Sequence, residues 1–114
     1  MNSTGNEKSD FLKGTLDMLL LKIVALGPIH GYAIATRVQQ ISNDIFQLQQ
    51  GSLYPTLHKL EQHKLLSAEW QQTETGREAK FYSLTAKGRK RLQDEVENWN
   101  RLSGAVALIL NTAE

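Results

Sequence analysis

The feature that most constrains this chain lies near its C-terminal end, where Leu92, Val96, Trp99, Ser103, Val106 and Leu110 recur at alternating steps of four and three. That spacing is the seam of a coiled coil, widened here by Leu102 and Ile109 and interrupted only by Ser103. Thr85 supplies an N-cap, and the helix it opens runs roughly 25 residues to near Asn111, or about 38 Å at 1.5 Å per residue. A chain of 114 residues builds one domain with a modest core, so a helix this long projects beyond it. Alone in water, the seam would leave Trp99 wet and forfeit roughly 2–3 kcal/mol of burial. A second copy removes that cost. The pattern therefore predicts a homodimer whose interface holds Leu16 and Leu20 of the first helix with Leu92, Val96, Trp99, Val106 and Leu110 of the last.

Composition narrows the classes further. The chain has no cysteine, which removes disulfides and thiolate metal sites. No apolar run approaches the roughly 18 residues of a membrane-spanning helix, and Asn2 to Asp10 is polar, so a cytoplasmic protein without membrane contact is expected, with residues 1–10 as a disordered tail. The net charge of +1 decides nothing, because nucleic-acid binding depends on where cations gather. His58 and His63 stand five apart and do not share a helix face. No nucleophile grouping or phosphate-cradling glycine loop occurs. Neither an enzyme nor a cofactor is implied.

Taken in order, Leu16, Leu19, Leu20, Ile23, Val24 and Leu26 form an apolar helix that stops at Gly27-Pro28. With Met18 and Leu21 it is greasy on more faces than one small domain covers, hence its place in the expected interface. A second helix runs from about Tyr32 to Ser42, with Ile34, Val38 and Ile41 inward, and Asn43-Asp44 breaks it. The stretch Gln50 to Glu61 follows as a third helix. Pro55 lacks an N–H and is tolerated in a first turn, which places the start near Gly51 or Ser52. Leu53, Leu57 and Leu60 line its inner face, while Gly51, Pro55, His58 and Gln62 face out, flanked by Ser52, Tyr54 and Lys59. Two short helices in succession, the second with a small-residue start and a polar outer face, suit a helix-turn-helix with a recognition helix.

Past Lys64 the period changes to alternation. Leu66, Ala68 and Trp70 fall on one side, and a turn at Thr73 to Gly76 leads to a return strand, Arg77 to Leu84, that sets Lys80, Tyr82 and Leu84 against Phe81 and Ser83. A hairpin after a helix-turn-helix is a wing. The fold expected is mainly α with a small β-hairpin: a winged helix-turn-helix over residues 11–84 and a long C-terminal dimerisation helix over 85–114.

Four motifs in order then carry a family resemblance: Lys-Gly-Thr-Leu-Asp-Met-Leu-Leu-Leu at 13–21, Gly-Pro-Ile-His-Gly-Tyr at 27–32, Gly-Ser-Leu-Tyr-Pro-Thr-Leu-His-Lys-Leu-Glu at 51–61, and, beyond Trp70 and Gly76-Arg77, Lys-Phe-Tyr-Ser-Leu-Thr with Gly88 at 80–88. From Gly14 to about Leu92 the chain resembles the PadR family of bacterial transcriptional regulators, in its short form with a single C-terminal helix. The resemblance implies a winged-helix dimer and repression relieved by a small molecule. Two departures stand out. His63-Lys64-Leu65-Leu66 occupies the place of a glycine followed by an apolar pair, and Glu78-Ala79 lies in the wing where more basic residues are common.

The same resemblance makes Tyr54 a donor to a phosphate or base edge of double-stranded DNA, with Ser52, His58 and Lys59 beside it and Tyr32 and Thr36 on the preceding helix as lesser candidates. The plainer alternative is a tyrosine packed on its own helix. Arg77 and Lys80 are the candidate phosphate contacts of the wing, against a merely solvated turn. Lys87, Arg89, Lys90 and Arg91 crowd the start of the last helix, where its dipole disfavours cations; phosphates and plain solvation are the alternatives. Drug-sensing members resemble this chain in carrying a tryptophan on the last helix, where two copies sandwich planar aromatic compounds. For Trp99 the seam position favours interface packing, with effector binding as the alternative. Two-fold symmetry implies a near-palindromic operator with half-sites one or two turns apart, at about 34 Å per turn. The rival class is a winged-helix protein-interaction module without specific DNA binding, supported by the near-neutral charge and Glu78.

Overall fold

The computed structural model describes residues 15–114; the tail expected over 1–10 and the first residues of the unit expected from 11 lie outside them. Helix α1 covers 15–25. It leads through Gly27, whose φ of +144° suits a residue without a Cβ, into the short strand β1 (Ile29–His30) and helix α2 (Gly31–Ile41). Helix α3 spans Gln50–Gln62, strands β2 and β3 are Leu66–Gln72 and Glu78–Leu84, and helix α4 is Ala86–Leu110. The sheet is antiparallel in the order β1-β3-β2, with Ile29 opposite Tyr82 and the hairpin register running from Leu66↔Leu84 to Gln72↔Glu78.

The wing hairpin forms where alternation placed it, but β1 is an addition. Two residues are too few to show a period, so pairing to β3 is a tertiary choice that no local pattern announces. His30 closes that strand and starts the next helix: its Nδ1 accepts from the Ala33 N–H at 3.3 Å, and its ring meets Phe81 edge-on at 5.3 Å. Asn43 and Asp44, both at positive φ, end α2 in a left-handed pair, a conformation that short polar side chains tolerate. There the Asp44 N–H donates to the Gln39 carbonyl at 2.9 Å, and the Phe46 N–H to Ser42 Oγ at 3.0 Å.

One core joins all the helices: Leu20, Leu21 and Val24 of α1, Ile34 of α2, Leu53, Leu57 and Leu60 of α3, then Leu65, Leu66, Tyr82 and Leu92. Two expectations change here. Leu16, Leu20 and Leu92, assigned to a subunit interface, are only 4%, 0% and 9% exposed in the single chain and belong to its own core. The inner stripe of α1 shares one core with α2 and α3, and Met18, Leu19 and Lys22 of its other side line a groove with α4. Secondly, α3 begins at Gln50, one or two residues early, and Pro55 is its sixth residue. The Ser52 and Leu53 N–H groups both donate to the Gln49 carbonyl, at 3.0 and 2.9 Å. Pro55 therefore forgoes the bond to Gly51 that its position calls for.

The junction of α3, β2 and α4 explains the first departure from the family pattern. Lys64 has φ +64°, the left-handed position that glycine commonly fills after a helix. Its N–H donates to Glu61 O and that of Leu65 to Leu60 O, both at 2.9 Å. This is a Schellman motif with its apolar clasp, since Leu60 and Leu65 are both buried. Lysine holds the conformation at a steric cost. Lys64→Gly is expected to stabilise the fold by about 0.5–1 kcal/mol, read as a rise of a few degrees in Tm in a thermal melt; an unchanged or lower Tm would remove this account of the turn.

Candidate nucleic-acid interface

Helix α3 is anchored by Leu53, Leu57 and Leu60, which leaves Ser52, Tyr54, Pro55, His58 and Lys59 exposed along its outer side. Tyr32 is exposed at the start of α2. The Thr36 hydroxyl donates back to the Tyr32 carbonyl at 3.1 Å, so its proton is already engaged within the helix. Tyr54 is placed by backbone proximity: a Cβ at Gly31 would lie 2.6 Å from Tyr54 Cε1 and 3.2 Å from the hydroxyl oxygen. The missing side chain at Gly31 thus lets the ring lie across the start of α2 while 42% of the residue stays exposed. In the sequence Gly31 stands only as part of the Gly-Pro-Ile-His-Gly-Tyr motif. Its steric role appears once α2 and α3 are packed together.

The candidate cations divide. Lys59 Nζ lies 2.9 Å from both carboxylate oxygens of Asp17 on α1. Lys80 Nζ lies 2.7 Å from Glu61 Oε1 and 5.6 Å from the centre of the Tyr82 ring. That oxygen of Glu61 is shut off from water, and the ammonium opposite supplies its compensating charge. The hydrogen bond to Glu61 is the main cause holding the Lys80 ammonium protonated beyond its ordinary range, and burial pushes the Tyr82 hydroxyl upward. The expected outward phosphate contact of Lys80 is therefore not its resting arrangement, because the β3 pleat puts it on the Tyr82 face, against α3. That signal was present in the alternation of residues 80–84. Arg77 remains exposed at the hairpin tip beside Gly76, whose φ is +84°, but Glu69, Glu74 and Glu78 are exposed along the same hairpin.

On α4, Lys87 donates to the His63 carbonyl at 3.0 Å, capping the end of α3, and Lys90 pairs with Asp94 at 2.9 Å. Contacts within the chain thus account for two of the four crowded cations, leaving Arg89 and Arg91 exposed. Further along, α4 forms one wall of a groove of about 770 Å³ whose lining includes Met18, Leu19, Leu92, Val96 and Trp99. The seam continues past the body, with Trp99, Leu102, Val106, Ile109 and Leu110 all exposed in the single chain. Among the described residues no helix is long and apolar enough to cross a membrane.

A helix-turn-helix whose second helix shows its polar side to solvent, followed by a hairpin beside it, defines the winged helix-turn-helix class. The model of the transcriptional regulator PadR-like family matches residues 20–94. A PadR-like transcriptional regulator from Bacillus cereus superposes with a TM-score of 0.80 at 26% identity, over 91% of this chain and 99% of that one. A PadR family regulator from Eggerthella lenta does so with a TM-score of 0.79 at 27% identity, over 96% and 93%. A transcriptional regulator of Mycobacterium tuberculosis is 33% identical over 75% of this chain and 77% of its own length. The chain belongs to the PadR-like family of transcriptional regulators. Its family and structural neighbours are regulators rather than enzymes.

Proposed function

We propose that this regulator acts as a homodimeric, sequence-specific repressor in the cytoplasm. Each subunit places α3 in a major groove of a near-palindromic operator. The observation that carries the reading is the outer face of α3, where Tyr54, Ser52 and His58 are presented on a helix whose other side is locked into the core. The exposed seam of α4 supports dimerisation, with Met18 and Leu19 taking the part first assigned to Leu16 and Leu20. Repression is the activity that the resemblance to the family implies. The groove beside Trp99 supports a planar aromatic effector, since an aromatic face gains from stacking.

The test is an anisotropy titration of the purified protein against the DNA immediately upstream of its own gene at two salt concentrations, with sedimentation in parallel. Nanomolar, competitor-resistant binding whose log affinity falls with log salt, by a species of twice the chain mass, is the expected result. A folded monomer at micromolar concentration would remove the dimer. The acidic exposed wing favours the second reading, an interaction module, which predicts negligible DNA affinity at either salt.

A further inference from the structure

An ion pair joins α3 to α1, and an acid of α4 feels its charges. Lys59 of α3 directs its ammonium at both oxygens of Asp17 on α1, each at 2.9 Å, and Glu95 of α4 is close enough for its charge to sense Asp17, Arg91 and Lys59. The pair is asymmetric in exposure: the lysine side chain is 50% exposed and the aspartate 20%. Lys59 is therefore within reach of an outside anion, while its present partner is fixed among packed helices. Glu95 is half-buried, with Oε2 shut off from solvent and without a hydrogen-bond partner among the described residues. Burial first, and then the Asp17 charge, raises its carboxyl above the ordinary value against the pull of Arg91 and Lys59.

We propose that Asp17, with Glu95 behind it, is a gate on Lys59: the Asp17 carboxylate holds the recognition-helix ammonium in the free protein and releases it to a phosphate only in competition, setting the strength and salt dependence of DNA binding. An ammonium is a compact point charge on a flexible stem, and it exchanges one oxyanion for another without rebuilding a site. An exposed ion pair contributes little to stability, so the exchange is cheap enough for DNA to drive. Both acids also repel phosphates from this flank of α3. Asp17 is a positioning residue in this scheme and touches no DNA. The gate rests on the DNA-binding reading above.

The test compares wild type, Asp17→Asn, Glu95→Gln and Asp17→Asn/Lys59→Gln on the duplex from upstream of the gene and on an unrelated duplex, across a salt series. With Lys59 released, Asp17→Asn should bind both duplexes about three- to tenfold more tightly at low salt and steepen the salt slope by up to roughly 0.9 per subunit, the increment for one phosphate contact that wild type makes only in part. Glu95→Gln should shift both in the same direction by less, and it keeps the gate testable should Asp17→Asn unfold. Lys59→Gln in the Asp17→Asn background should cancel the gain, which a merely structural tie between α1 and α3 would not produce. Wild-type binding with no change of affinity or slope in folded Asp17→Asn overturns the gate alone. Absence of binding by every variant overturns the gate and the DNA-binding reading together.

Discussion

Gly88→Ala is expected to destabilise the fold by about 3 kcal/mol or more, lowering Tm by roughly 10–20 °C in a calorimetric melt. A Cβ there would lie 2.0 Å from the carbonyl oxygen of Leu65 and 2.8 Å from Leu84 Cδ1. The first obstacle is backbone, so no rotamer change relieves it. Nor can the helix draw back cheaply, because Thr85 binds the same turn: its N–H donates to Leu65 O at 3.2 Å, and its Oγ1 lies 2.7 Å from Lys64 O and 3.0 Å from Leu65 O. The same Oγ1 accepts from the Gly88 N–H at 2.9 Å, capping α4. Gly88→Ala therefore sets core contact and cap against each other. A variant melting within two or three degrees of wild type would show that α4 can pivot away from this turn.

Gly31→Ala is expected to separate stability from DNA binding. Here the obstacle is the outer end of the Tyr54 ring, a side chain that can rotate away, and alanine at a helical position gains about 0.5–1 kcal/mol over glycine. The two effects should leave Tm within a few degrees of wild type. The ring, however, must leave the start of α2. If it presents the hydroxyl to DNA, affinity should fall about tenfold, near 1.4 kcal/mol, and Tyr54→Ala should fall by as much without the two losses adding. Unchanged affinity in a folded Gly31→Ala protein would show that Tyr54 only packs.

The larger elements were legible because each follows from a period. The four-three seam places α4, alternation places β2 and β3, and Leu53, Leu57 and Leu60 place the inner face of α3. Local rules misjudged positions where tertiary packing prevails: Pro55 sits deeper in α3 than its missing N–H alone would allow, and Lys64 holds a glycine conformation because the Leu60–Leu65 clasp and two backbone bonds secure it. Residue-level assignments around the site were less legible. Lys59 and Lys80 read as free cations because charge can be counted along a chain, whereas their partners Asp17 and Glu61 become partners only through folding. Greasiness likewise flagged α1 as having surplus apolar surface, but which leucines are surplus depends on which face the core takes.

The Thr85 node has a mechanical side. Through its bonds to Lys64 and Leu65 the start of α4 is pinned to the end of α3, so α3 and the long helix turn as one lever. In a dimer joined along α4, a tilt of about 5° over a helix of about 38 Å displaces its far end by roughly 3.3 Å, close to the rise of a single base step at about 3.4 Å. A molecule wedged beside Trp99 would need to alter the angle between the paired helices by no more than that to put the two halves of the protein out of step with the DNA.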